Sequence, residues 1–112
     1  MPPRPCLALA LATAACGSSG AKADLESART ARSLLAELAL VSEMRPAGSY
    51  TRQMRAEATR QLATTADAAR RSGTPEGAAI ADIASVPDDA QAGSIVARAN
   101  RARAIESRLA VR

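Results

Sequence analysis

The sequence has no histidine, tryptophan or phenylalanine, and Tyr50 is its single aromatic residue. Without imidazole there is no Ser-His-Asp triad, no Cys-His pair and no His-ligated zinc or haem. Without aromatic rings there is no base-stacking platform and no aromatic cage. No Walker loop, nucleophile elbow or glycine-rich dinucleotide loop occurs. Lysine is almost missing too: Lys22 stands alone, so fourteen of the fifteen basic residues are arginine. These absences leave no catalytic residue, no metal-ligand set and no cofactor to name, and the chain is read as non-enzymatic.

With 112 residues the chain holds at most one small domain. Hydrophobic residues make up 47% and charged residues 23%, ordinary globular values, with a formal charge of +4. About a quarter of the chain is alanine, the best helix former. Valine, isoleucine and threonine never alternate with polar residues as in a half-buried strand, so the expected fold is all-α. The alanine and arginine bias is read as a GC-rich genome's composition rather than selection for guanidinium chemistry, the bland reading against which any arginine site is weighed.

The run MPPRPCLALALATAAC opens with one positive charge, Arg4, and continues through about ten apolar or small residues, too short for the roughly twenty of a membrane-spanning helix. Its shape is that of a secretory signal peptide. Thr13-Ala14-Ala15-Cys16, followed by Gly17-Ser18-Ser19-Gly20, resembles the cleavage box of bacterial lipoproteins. It matches at Ala15 and Cys16, is permissive at Ala14, and has Thr13 where that family usually has leucine. The resemblance implies that the Cys16 thiol carries diacylglycerol, that the chain is cut before it, and that the new amino group is often acylated. Residues 1–15 are then a signal peptide, 16–23 a lipidated cysteine with a flexible Gly/Ser tether, and 24–112 a helical domain. Cys6 leaves with the leader and Cys16 has no free thiol, so no disulfide is expected. The implied location is a membrane surface facing the periplasm or the cell exterior, the outer membrane in a Gram-negative host.

The domain itself reads as three long helices and one short one in a small Ala-rich antiparallel bundle. The first runs from an N-cap at Asp24 to about Arg45, with Leu25, Ala28, Ala31, Leu34, Leu35, Leu38, Val41 and Met44 on one face. Pro46 and Gly48 stop it. The second runs from Ser49 or Thr51 to Ser72 with Tyr50, Met54, Ala58, Leu62, Thr65 and Ala69 inward, and Gly73 as its C′ residue. Thr74-Pro75-Glu76 starts the short helix, which buries Ala79, Ile80 and Ile83. Asp88 or Asp89 caps the last, whose stripe is Ile95, Ala99, Ala102, Ile105 and Leu109. So many alanines make a thin core, which self-association or a partner would supplement.

Side-chain constellations are sparse. Glu37, Glu43 and Glu57 are read as solvated helix faces, since helix-bundle dimetal sites use Glu-x-x-His. Glu106 falls near the apolar stripe of the last helix, read as a loosening of the stripe near the chain end rather than as a half-buried acid held by Arg103. Tyr50 is expected to pack over the helix junction with its hydroxyl wet. Arg98, Arg101, Arg108 and Arg112 share one quadrant of the last helix. They make it the candidate contact surface for anionic lipid, an acidic envelope polymer or a protein partner, against a plain solvated face with cations suited to the helix dipole. The expected role is a lipid-anchored envelope accessory or protein-interaction module. The alternative is a cytosolic basic helical module binding nucleic acid or an acidic protein, with nucleic acid disfavoured for want of stacking residues.

Overall fold

The computed structural model describes residues 3–44 and 48–111, with side chains from Gly20 onward. Four helices follow in order: α1 (Pro3–Glu43), α2 (Ser49–Arg71), α3 (Pro75–Ala84) and α4 (Ala92–Ala110). The fold is an all-α antiparallel bundle of three long helices and one short. Among the described residues there is no strand, and no helix is long and apolar enough to cross a membrane.

Helix α1 is the central element and packs against the other three. Helices α2 and α4 do not pack on each other, and α3 bridges them from one end. One core results, formed by Leu34, Leu35 and Leu38 of α1, Leu62 of α2, Ile80 and Ile83 of α3, and Ile95, Ile105 and Leu109 of α4. Of the nineteen buried apolar residues described, nine are alanine. Alanine lets helix axes approach closely but removes little apolar area from water, so the few leucines and isoleucines carry most of the burial energy.

Helix α1 begins at Pro3, not at Asp24. The helix continues through Gly17 and Gly20, so Asp24 lies inside α1 and is no N-cap. Its side chain is buried and used elsewhere. Helix α4 is likewise not capped by Asp88 or Asp89, which form a turn closed by Ala90 N–H on Pro87 C=O at 3.1 Å. Its N-cap is Gln91, with no side-chain bond. Tyr50 does not pack over the junction: it is 69% exposed. The buried stripe of α2 starts only at Ala58, about two turns further on, so the first turns of α2 project past the core. Met44 at the end of α1 is exposed for the same reason.

The α2–α3 corner follows the sequence signals closely. Gly73 has φ +71°, the left-handed conformation that glycine adopts without a Cβ penalty, and its N–H bonds Arg70 C=O at 3.2 Å. Thr74 caps α3: its Oγ1 accepts from Gly77 N–H at 2.9 Å, and Pro75 occupies the first helical position. Gly77 itself is buried against the end of α2. A Cβ there would lie 2.4 Å from Ala69 O and 2.2 Å from Ser72 Oγ, so only glycine lets the two helix ends approach this closely.

Candidate functional site

The linker from α3 to α4, residues 85–91, has no regular structure of its own. Three arginines, two from α2 and one from α4, hold it. From α4, Arg98 Nη1 donates to the carbonyls of Asp82 at 3.0 Å and Ile83 at 2.9 Å, with Ser85 C=O at 3.5 Å. These are carbonyls at the C-terminal end of α3, which lack intrahelical partners and carry the negative end of the helix dipole. From α2, Arg55 Nη2 donates to Ala90 C=O at 3.1 Å and Asp88 C=O at 3.3 Å, while its Nη1 donates to Ser42 Oγ of α1 at 2.7 Å. Arg70, at the last turn of α2, reaches Ser85 Oγ at 3.1 Å and pairs with Asp67 at 3.0 Å.

The pinned linker forms one wall of a groove whose other wall is α2. Its volume is about 540 Å3, and it is lined by Leu38, Arg52, Arg55, Ala56, Thr59, Arg60, Ala63, Val86, Pro87 and Asp88. A second hollow of about 290 Å3 shares Thr59, Ala63, Val86 and Pro87 with it and runs on to Arg70. Alanine, leucine, valine and proline make the surface apolar, and three arginines stand around it. Arg60 pairs with Glu57, whose other partner is Gln61 Nε2 at 2.8 Å. Arg55 is half-buried, and its acceptors described above are all neutral oxygens.

The expected arginine face of α4 divides. Arg98 is half-buried against the end of α3. Arg101 and Arg108 do come together, beside a shallow hollow between α3 and α4 lined also by Ala79, Ile83, Ala104 and Ile105. Arg101 stands 3.8 Å from Asp82, and both are exposed. Arg112 and the side chain of Cys16 lie outside the described residues. Glu106 corrects the sequence reading. Its side chain is 17% exposed, and Oε1 accepts from Arg32 Nε of α1 at 2.6 Å. Arg29 Nε stands 3.4 Å from its Oε2. The acid tilts inward because α1 supplies two guanidinium groups there, so it is a tie between helices, with α1 arginines as partners instead of Arg103.

The groove arginines form no motif in the sequence: Arg52, Arg55 and Arg60 all lie on α2 among other polar residues. One signal was available: Arg52, Arg55, Ala56, Thr59, Arg60 and Ala63 recur at helical spacing and define a face adjoining the buried stripe of α2. No group of three or more metal-ligating side chains occurs among the described residues. Comparison with protein-family models, curated proteins and solved structures gives no match.

Proposed function

We propose that the chain is a lipid-anchored cell-envelope protein that acts without catalysis, as an accessory or protein-interaction module. The observation that carries this reading is the Thr13-Ala14-Ala15-Cys16 box followed by Gly17-Ser18-Ser19-Gly20. Two or three acyl chains on Cys16 exceed what stable anchoring needs, whereas a single chain gives only marginal binding. The presented surface then includes the Arg101–Arg108 face and the groove along α2.

The test is the intact mass of the protein recovered from membranes of its native host, beside a Cys16→Ala variant. Loss of the first fifteen residues together with added acyl mass, in the wild type alone, is the expected result. A full-length, unmodified and soluble product overturns it. The basic α4 face would then be titrated against nucleic acid and acidic proteins.

A further inference from the structure

We propose that the groove between α2 and the α3–α4 linker binds an anionic single-chain amphiphile: a carboxylate head on Arg55 and an alkyl tail along the apolar surface. The inference is independent of whether Cys16 is lipidated.

Three observations converge. The first is size and lining. A groove of about 540 Å3 falls within the roughly 300–1,000 Å3 of small-ligand sites, and its lining is apolar with polar groups in few places. Ala56, Ala63, Val86 and Pro87 offer methyl and methylene surface on both walls, with Leu38 between them, and the adjoining hollow extends the path past Ala66 toward Ala84. A tail lying there has apolar contact along its length.

The second is charge. Arg55 is a half-buried guanidinium whose bonds to Ser42, Asp88 and Ala90 use neutral oxygens. A partly desolvated charge is stabilised far more by an opposite charge than by carbonyl dipoles alone. Arg60 is paired with Glu57, so Arg55 is the charge that the groove offers an anion. Arg98 is a useful contrast, because it faces the C-terminal carbonyls of α3, where the helix dipole already supplies negative potential.

The third is preorganisation. Arg55 is tethered to both α1 and the linker, so its head group is held before any ligand arrives. Fixing the recognition group in advance lowers the entropy cost of binding. The same bonds position Val86 and Pro87 as a wall, so the cation and the apolar surface are built by one side chain. Ser42, Asp88 and Ala90 take three of the five guanidinium N–H groups of Arg55, which leaves two to donate to a carboxylate.

The test is a titration of the isotope-labelled full chain, followed by amide NMR, with dodecanoate kept below its micelle concentration. Dodecyltrimethylammonium supplies the same tail with the opposite head, and acetate the same head without a tail. Dodecanoate should give saturable shifts centred on Ala56, Ala63, Val86 and Asp88, with the two controls at least about tenfold weaker. Ala56→Glu introduces a negative charge at an exposed helical position, and should weaken dodecanoate binding by about tenfold or more while leaving the spectrum folded. Arg55→Lys keeps the charge but loses the fork, and should weaken binding less than Arg55→Met. Equal shifts from the ammonium amphiphile, shifts mapping to the Arg101–Arg108 hollow, indifference to Ala56→Glu, or no saturable shift would each overturn the proposal.

Discussion

Thr74 Oγ1 donates to Asp24 Oδ2 at 2.6 Å while accepting from Gly77 N–H at 2.9 Å. One hydroxyl therefore caps α3 and ties the α2–α3 corner to α1 across fifty residues of sequence. Its single proton goes to Asp24 and that of Ser72 goes to Ala69 C=O at 2.9 Å, so the 3.0 Å approach of the two hydroxyls has no proton of its own. Asp24 is 2% exposed, and its Oδ1 has no partner among the described residues. Thr74→Ala therefore removes a cap worth about 1 kcal/mol and also leaves a buried carboxylate without its hydrogen bond, a further loss of about 1–3 kcal/mol. Thr74→Ser keeps the hydroxyl and should cost less than about 1 kcal/mol. Urea unfolding of the two variants checks this, and equal losses would show that the hydroxyl carries neither contact.

Two glycines should answer the same substitution with opposite signs. Gly77→Ala places a methyl 2.4 Å from the Ala69 carbonyl, a backbone atom that cannot turn aside, and should cost about 1–3 kcal/mol by overpacking. Gly93, in the first turn of α4, has no atom within 4 Å of a built Cβ. Gly93→Ala should stabilise by about 0.4–1 kcal/mol, through lower chain entropy in the unfolded state and better helix propensity. Thermal melts that shift in the same direction for both would contradict the packing at the α2–α3 corner.

The arginines of α4 divide into a fastener and a surface. Arg98→Ala strips the carbonyls of Asp82 and Ile83 of a charged donor and frees the linker, a loss of about 1–2 kcal/mol. Arg108 is exposed and has no bond of this kind among the described residues, so Arg108→Ala should change stability by less than about 0.5 kcal/mol. Hydrogen exchange supplies the local readout. Amides of the last turn of α3 should lose protection in Arg98→Ala and keep it in Arg108→Ala.

How much of this was legible beforehand depends on whether the signal is local. The α2–α3 corner was, because Gly73, Thr74 and Pro75 each act through their own backbone geometry, and no distant partner changes what they do. The bundle and most of its stripe were, because helical spacing of Leu34, Leu35, Leu38, Leu62 and Ile105 fixes which face is apolar. The groove and the ion pairs between helices were not, although the Asp67–Arg70 pair within α2 was. Arg55 finds its acceptors thirteen to thirty-five residues away, and Glu106 finds Arg32 seventy-four residues away. On a helical wheel these side chains look like any solvated charge. Their roles come from which helix packs beside them, which the pattern of a single helix does not encode. Asp24 failed in a related way: its type is that of an N-cap, but the helix carries on through it and the carboxylate caps nothing on its own helix.

The Glu106 tie offers a last check on how α1 meets α4. Arg32 is 34% exposed and Glu106 17%, so the pair is partly screened by water, and Arg29 shares the same carboxylate while also reaching Glu26. A double-mutant cycle of Arg32→Ala and Glu106→Ala should give a coupling of about 0.5–1 kcal/mol, the upper range for pairs that solvent still reaches. Raising the salt from low to about 1 M should shrink that coupling, because the Debye length falls to about 3 Å. Because Arg29 remains to take up Glu106, Arg32→Ala alone should cost less than Glu106→Ala, which leaves two cations facing each other. The reverse order, with Arg32→Ala the costlier change and the coupling indifferent to salt, would mean that the aliphatic stem of Arg32 holds α4 by packing and that its charge contributes little.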